Sequence, residues 1–164
     1  MKPNTVGRND GQQPATRRNS TPEGLLAGTL ILTQDGEFPV EALSAGDKII
    51  TRGAGFVALR NIHHHVLTCE TVRIRAGTLG HTRPEGDVDL PVGQMILIRD
   101  WRAKAMFGQE QALVAAARLV DGAFLTLQPE ARHSVFTLVF DTPQVIYASG
   151  LELASHHPAL AVVR

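Results

Sequence analysis

Seven histidines and one cysteine are the side chains of this 164-residue chain with the widest chemical range. His63, His64 and His65 are consecutive, in a β-prone stretch. Strand alternation puts His63 and His65 on one face, a spacing that can chelate zinc. A third ligand would have to come from His81, His133, His156 or His157, all distant in sequence. Neither a cysteine pair nor a His-Glu-x-x-His helix supports such a centre. The histidines are therefore expected to be solvated or hydrogen-bonded, with no bound metal and no cofactor. Cys69, between Leu67-Thr68 and Thr71-Val72-Arg73-Ile74, reads as a buried thiol on a strand. It has no intrachain disulfide partner, which fits a reducing compartment or a fold indifferent to redox.

Other chemistry is poorly supplied. Arg52-Gly53-Ala54-Gly55 leads neither to Lys-Ser/Thr nor to a helix, so it is no phosphate loop. No serine lies in a Gly-x-Ser-x-Gly elbow. Glu37, Glu41 and Asp47 resemble paired carboxylates, but solvent-exposed turns account for them. Trp101 is expected to pack a corner of the core rather than to stack on a base. The 16 basic and 16 acidic residues cancel, which removes any long-range pull towards nucleic acid or an anionic membrane. No signal peptide and no apolar run of about 20 residues is visible, so the chain reads as soluble, either cytoplasmic or exported without a signal.

The elements that must position these side chains are short and β-prone. Residues 1–22 are polar and almost without apolar side chains, and read as a disordered tail whose ordering entropy no burial would offset. A domain is expected over residues 23–164. Thr29–Thr33, Lys48–Thr51, Val57–Ile62, Thr71–Arg75, Met95–Ile98, Val135–Phe140, Val145–Ala148 and Leu151–Leu153 read as strands, with turn signals every 8–12 residues or so. Residues 77–89 read as a loop, Ala103–Phe107 as a helical turn, and Ala112–Val120 as a short helix stopped by Asp121-Gly122. The class is mainly β. Leu30-Ile31-Leu32 leading to Val40–Leu43 is faintly echoed by Ile96-Leu97-Ile98 leading to Val114–Leu119, as in a domain of two pseudo-twofold-related halves.

Four stretches in order carry a family resemblance. They are Ala27-Gly28-Thr29-Leu30-Ile31 with Gly36–Leu43 and Ala45-Gly46-Asp47; Val72–Gly80; Met95–Ala103; and Asp141 with Ala148-Ser149-Gly150-Leu151 and Ser155-His156-His157-Pro158. Over about residues 24–158 the chain resembles the Hint (Hedgehog/intein) family, particularly its bacterial branch. The resemblance implies a compact Hint-like β-domain. It also implies an ancestral acyl shift, in which a Cys or Ser opening the domain attacks the preceding carbonyl while a His on a neighbouring strand protonates the leaving nitrogen.

By the same resemblance the reactive positions are lost. The nucleophile falls on Gly24, which has no side chain. The activating His falls on Gln94, whose amide cannot shuttle a proton at neutral pH. A His often found after the closing Asp141 falls on Pro143. Thr21 and Ser20 are hydroxyls, but lie three or four residues early. The expected function is therefore that of a non-catalytic interaction or structural module with an unknown protein partner. The alternatives are autoprocessing by an unrecognised nucleophile and metal binding by the His63–His65 cluster. The resemblance further implies that Gly24, Gln94 and Asp141 meet at one cleft, and that Gly24→Cys with Gln94→His would restart part of the shift.

Overall fold

Alternating apolar residues bounded by Gly, Asp and Pro turns fold here into antiparallel ladders. The structure is a computed structural model that describes residues 21–80 and 82–156. Most of the tail, residues 1–20, lies outside the described residues, as do His81 and 157–164.

In chain order the strands are β1 (Leu25–Leu26), β2 (Leu30–Thr33), β3 (Gly36–Pro39), β4 (Lys48–Thr51), β5 (Gly55–Ala58), β6 (Asn61–Ile74), β7 (Val88–Pro91) and β8 (Met95–Ile98). Helix α1 (Trp101–Phe107) follows, then β9 (Ala112–Ala115), β10 (Leu125–Val139), β11 (Val145–Ala148) and β12 (Leu151–Ala154). One sheet has the order β1-β10-β6-β7. The other runs β3-β2-β4-β11-β12-β8-β9, with β5 paired to β4. Between them Ile31, Ile49, Ile74, Leu90, Ile96, Leu125, Ile146 and Leu153 are fully buried. Each such aliphatic side chain stabilises the fold by about 1.5–3 kcal/mol relative to exposure.

The two halves repeat a unit. Hairpin β2–β3 ends in a 3₁₀ turn at Val40–Ala42, and hairpin β8–β9 ends in one at Ala116–Leu119. They occupy opposite ends of the larger sheet, with the β11–β12 hairpin between them. The faint sequence echo is thus a structural one.

Three expectations need correction. Ala112–Val120 is not one helix, since its first half is strand β9 and only Ala116–Leu119 is helical, as a 3₁₀ turn. Ala112–Ala115 pairs along β8, and the intrinsic helix preference of its alanines yields to that ladder and to burial of Val114. The loop over 77–89 ends early, because Val88 already pairs with Ile74. The strand expected at Val135–Phe140 begins ten residues sooner, at Leu125. Pro129, which has no N–H for a ladder, sits in a bulge where the pairing with β6 shifts between Gln128 and Ala131.

Helix α1 starts two residues earlier than the sequence suggests. Asp100 caps it by accepting from the Arg102 N–H at 3.1 Å, and Gly108 ends it in the left-handed region at φ 69°. No helix among the described residues is long and apolar enough to cross a membrane.

Candidate functional site

Gly24 lies just before β1, and Gln94 in the turn between β7 and β8. The Gly24 N–H donates to Gln94 Oε1 at 2.9 Å. Gln94 Nε2 donates to the carbonyls of Ala154 at 2.8 Å and Met95 at 3.1 Å. The side chain is only 4% exposed, and these three partners fix its orientation. A backbone N–H needs the amide oxygen and two carbonyls need the amide nitrogen. The atom facing the Gly24 nitrogen is therefore an acceptor, which holds a proton already there and cannot deliver one.

The segment before Gly24 is stitched to the same turn. Gly93 N–H donates to the Pro22 carbonyl at 2.7 Å, and His156 Nδ1 lies 2.6 Å from the Glu23 carboxylate. Thr21 and Pro22, grouped with the tail by sequence, thus lie against the domain. A Cβ on Gly93 would come within 2.5 Å of the Pro22 carbonyl oxygen and of Thr21 Cγ2, so this approach requires a glycine.

The cavity at the junction is lined by Gly24, Gln94, Phe136, Ser155 and His156, among others, and measures about 10 Å³, about the least that holds one water. Gly24 adopts φ 127°, a conformation that side-chain-bearing residues rarely take. A Cβ there would meet Val135 Cγ1 at 2.6 Å and the Phe136 carbonyl oxygen at 2.9 Å. The space a nucleophile would need is filled, in part by backbone.

Comparison with known proteins places this arrangement. The family profile of the Hint domain matches residues 24–160. The chain belongs to the Hint-domain family. Solved structures with the same fold include a bacterial intein-like domain from Clostridium thermocellum, 16% identical, with TM-score 0.55 over 84% of this chain and 100% of that one. A DnaB intein from Synechocystis sp. PCC 6803 is 9% identical, with TM-score 0.58 over 83% and 100%. The TvoVMA intein is 12% identical, with TM-score 0.56 over 82% and 98%. At these identities the likeness concerns the fold. No curated protein matches the chain significantly.

Of the positions read from the Hint motifs, Gly24 and Gln94 touch. Asp141 does not line their cavity. Phe140 turns inward at the end of β10, so its neighbour Asp141 faces solvent, where it pairs with Arg60 at 3.0 Å. Pro143 is exposed in the following loop. Ser155 takes part instead. Its Oγ accepts from the Gln144 N–H at 3.0 Å, and its own N–H donates to the Gln144 carbonyl at 2.8 Å. In the sequence Ser155 and His156 belong to the closing motif, with His156 also a candidate metal ligand, and their place beside Gly24 depends on chain reversal between β11 and β12.

The remaining candidates disperse. His63 and His65 share a face with ring centroids 6.4 Å apart, while His64 stacks on Phe136 at 4.6 Å. Among the described residues no group of three or more His, Cys, Asp or Glu is placed to hold a metal. Cys69 is buried, and burial, followed by the charge of Glu130, pushes its thiol up, away from the reactive thiolate.

Glu41 is more than a solvated turn residue. Its Oε1 accepts from the Gly28 N–H at 2.7 Å, and that bond is the main cause holding its carboxyl below the usual value. Asp47 similarly accepts from the Ser44 N–H at 2.8 Å. Trp101 is not in the core. It is 67% exposed at the first turn of α1, with the Arg102 guanidinium 4.8 Å from its ring centroid.

One polar centre has no precursor in the sequence reading. Glu152 on β12 is 3% exposed and is faced by Arg52, Arg83 and Arg99. Arg99 binds it through two nitrogens at 2.8 and 3.0 Å. Burial pushes the carboxyl up, but the Arg99 hydrogen bond and the charges of Arg83, Arg99 and Arg52 outweigh it, so the net shift is downward. Alternation in Leu151-Glu152-Leu153 hints at an outward glutamate; the three arginines come from segments far apart in sequence.

Proposed function

We propose that this Hint domain does not cleave its own chain and serves as a structural or interaction module for a protein partner. The observation that carries the reading is Gly24: it offers no attacking atom, and the volume a side chain would need is occupied by Val135 and the Phe136 carbonyl. Gln94 supports it, since the amide contacts the Gly24 nitrogen through an acceptor oxygen and so cannot protonate a departing amine. The His156–Glu23 and Gly93–Pro22 contacts hold the Glu23–Gly24 peptide as part of the fold.

The test is intact-mass spectrometry of the purified full chain after days at pH 7–8 with dithiothreitol or hydroxylamine. A single mass equal to the full sequence is expected. Fragments ending at Glu23, or accelerated by hydroxylamine, would overturn the proposal.

One observation favours a second reading, autoprocessing by an unrecognised nucleophile: Ser155 and His156 line the cavity that Gly24 lines. If fragments form and Ser155→Ala abolishes them, this reading replaces the first.

A further inference from the structure

Where basic side chains elsewhere in the described structure form ion pairs, each meets one acid: Arg60 with Asp141, Arg73 with Asp89, Arg102 with Asp100, Lys104 with Glu110. The Glu152 centre breaks this pattern. Arg52 Nη1 is 3.4 Å from one carboxylate oxygen and Arg83 Nη2 is 3.4 Å from the other, on which Arg99 Nε also closes at 2.8 Å. One carboxylate can neutralise one of the three guanidiniums, so two positive charges are left over.

Their donors are also unspent. Among the described residues Arg52 Nη2 reaches Gln111 Oε1 alone, at 3.3 Å, and Arg83 Nε has no hydrogen-bond partner, being itself buried beneath the exposed end of its guanidinium. Glu152 is sealed, but the arginine side chains above it are 35%, 28% and 36% exposed, so the surplus faces solvent. They converge from three separate segments: the end of β4, the loop before β7 and the end of β8. Glu152 holds them in place from beneath.

We infer that Arg52, Arg83 and Arg99, clamped by Glu152, form a binding site for a phosphate dianion, either free or as a monoester. The charge fits: a phosphate monoester carries about −1.5 to −2 near neutral pH, against a surplus of two. The geometry fits as well, because a tetrahedral group offers a separate oxygen to each of three guanidiniums arriving from different directions. A single carboxylate would leave one charge unmatched. The overall neutrality of the chain argues against an extended polyanion and leaves a single compact group as the ligand.

The experiment is isothermal titration of the full chain at pH 7.5 with inorganic phosphate and, separately, phenyl phosphate, at constant ionic strength in chloride. Acetate is the monoanion control. A saturable isotherm with one site per chain is expected. Arg52→Gln and Arg83→Gln each leave Glu152 two arginines, so folding is kept, and each should weaken binding about tenfold, the loss of one charge-assisted hydrogen bond. Arg60→Gln, in a pair elsewhere, should change nothing. Tighter binding of phenyl phosphate assigns the site to a monoester, and tighter binding of inorganic phosphate assigns it to the free ion. An unsaturable response, acetate binding as tightly as phosphate, or Arg60→Gln weakening binding as much as Arg83→Gln would overturn the inference.

Discussion

Gln94 and Glu152 are both nearly sealed polar side chains beside strands of the larger sheet, and their surroundings differ in kind. Around Gln94 every strong donor meets one acceptor: Gly24 N–H to Oε1, Nε2 to Ala154 and Met95. Around Glu152 three cations meet one anion. The first arrangement is complete without a ligand and rigidifies the junction. The second is oversupplied on its solvent side. Within one domain, then, the Gly24–Gln94 junction is a satisfied internal contact, while a charge surplus lies around Glu152.

This contrast can be broken by substitution. Glu152→Ala should have the largest effect, because it strands three guanidiniums against each other. A loss of about 3 kcal/mol is expected, at the low end for breaking a buried ion pair because the arginines are partly hydrated. Urea unfolding measures it; a loss below about 1 kcal/mol would mean that the arginines relax into solvent and that Glu152 does not organise them.

Gly24→Ala comes next, at about 2–3 kcal/mol, from a positive φ together with the approach to the Phe136 carbonyl. The same crowding bears on Gly24→Cys with Gln94→His. That double variant is now expected to be destabilised and to remain uncleaved under dithiothreitol, contrary to what the motif resemblance alone implies. Gln94→Ala should cost about 1–3 kcal/mol by leaving the Gly24 N–H and the Ala154 carbonyl unmet. A neutral result there would reduce the junction to a passive loop.

Acid sharpens the comparison further. The Glu152 carboxyl is lowered in the folded state from its ordinary value of 4.5. A depressed folded value contributes stability that is fully present above pH 4.5 and is lost as pH falls through the folded value. Wild type should therefore lose more stability than Glu152→Gln between about pH 4.5 and pH 2, followed by thermal unfolding. The amide at Gln94 predicts no such difference for Gln94→Ala. Smallest of all, Asp141→Asn should change stability by no more than about 0.5 kcal/mol, since its pair with Arg60 is exposed on both sides.

How far these two regions were legible follows from the kind of signal each leaves. The mainly β class, most of the strands and the contact of Gly24 with Gln94 were readable because alternation and motif order are local properties. The solvent-facing side chain of Asp141 was not readable, because motif order does not say which face a residue takes; the inward turn of Phe140 decides that. Ala112–Ala115 was misread as helix because alanine preference is local and the β8 ladder is not. The Glu152 centre was illegible, since Arg52, Arg83 and Arg99 have no mutual spacing and meet only when β4, β8 and the loop before β7 are folded together.

The bulge at Pro129 also bears on how one copy of this domain meets another. β1 pairs with β10 at Val135 and Phe136, and Ala27 N–H reaches the Ser134 carbonyl, so among the described residues the stretch from Thr126 to His133 has no strand on that side. Such edges template sheet extension between molecules, the first step of aggregation. Pro129 has no N–H to offer a ladder, the shift in pairing interrupts the strand's regularity there, and Glu130 and Arg132 set exposed charges beside the break. An incoming strand cannot run a continuous ladder past residue 129. The irregularity that hides this strand from a reading of the sequence thus also acts as its guard in a crowded solution.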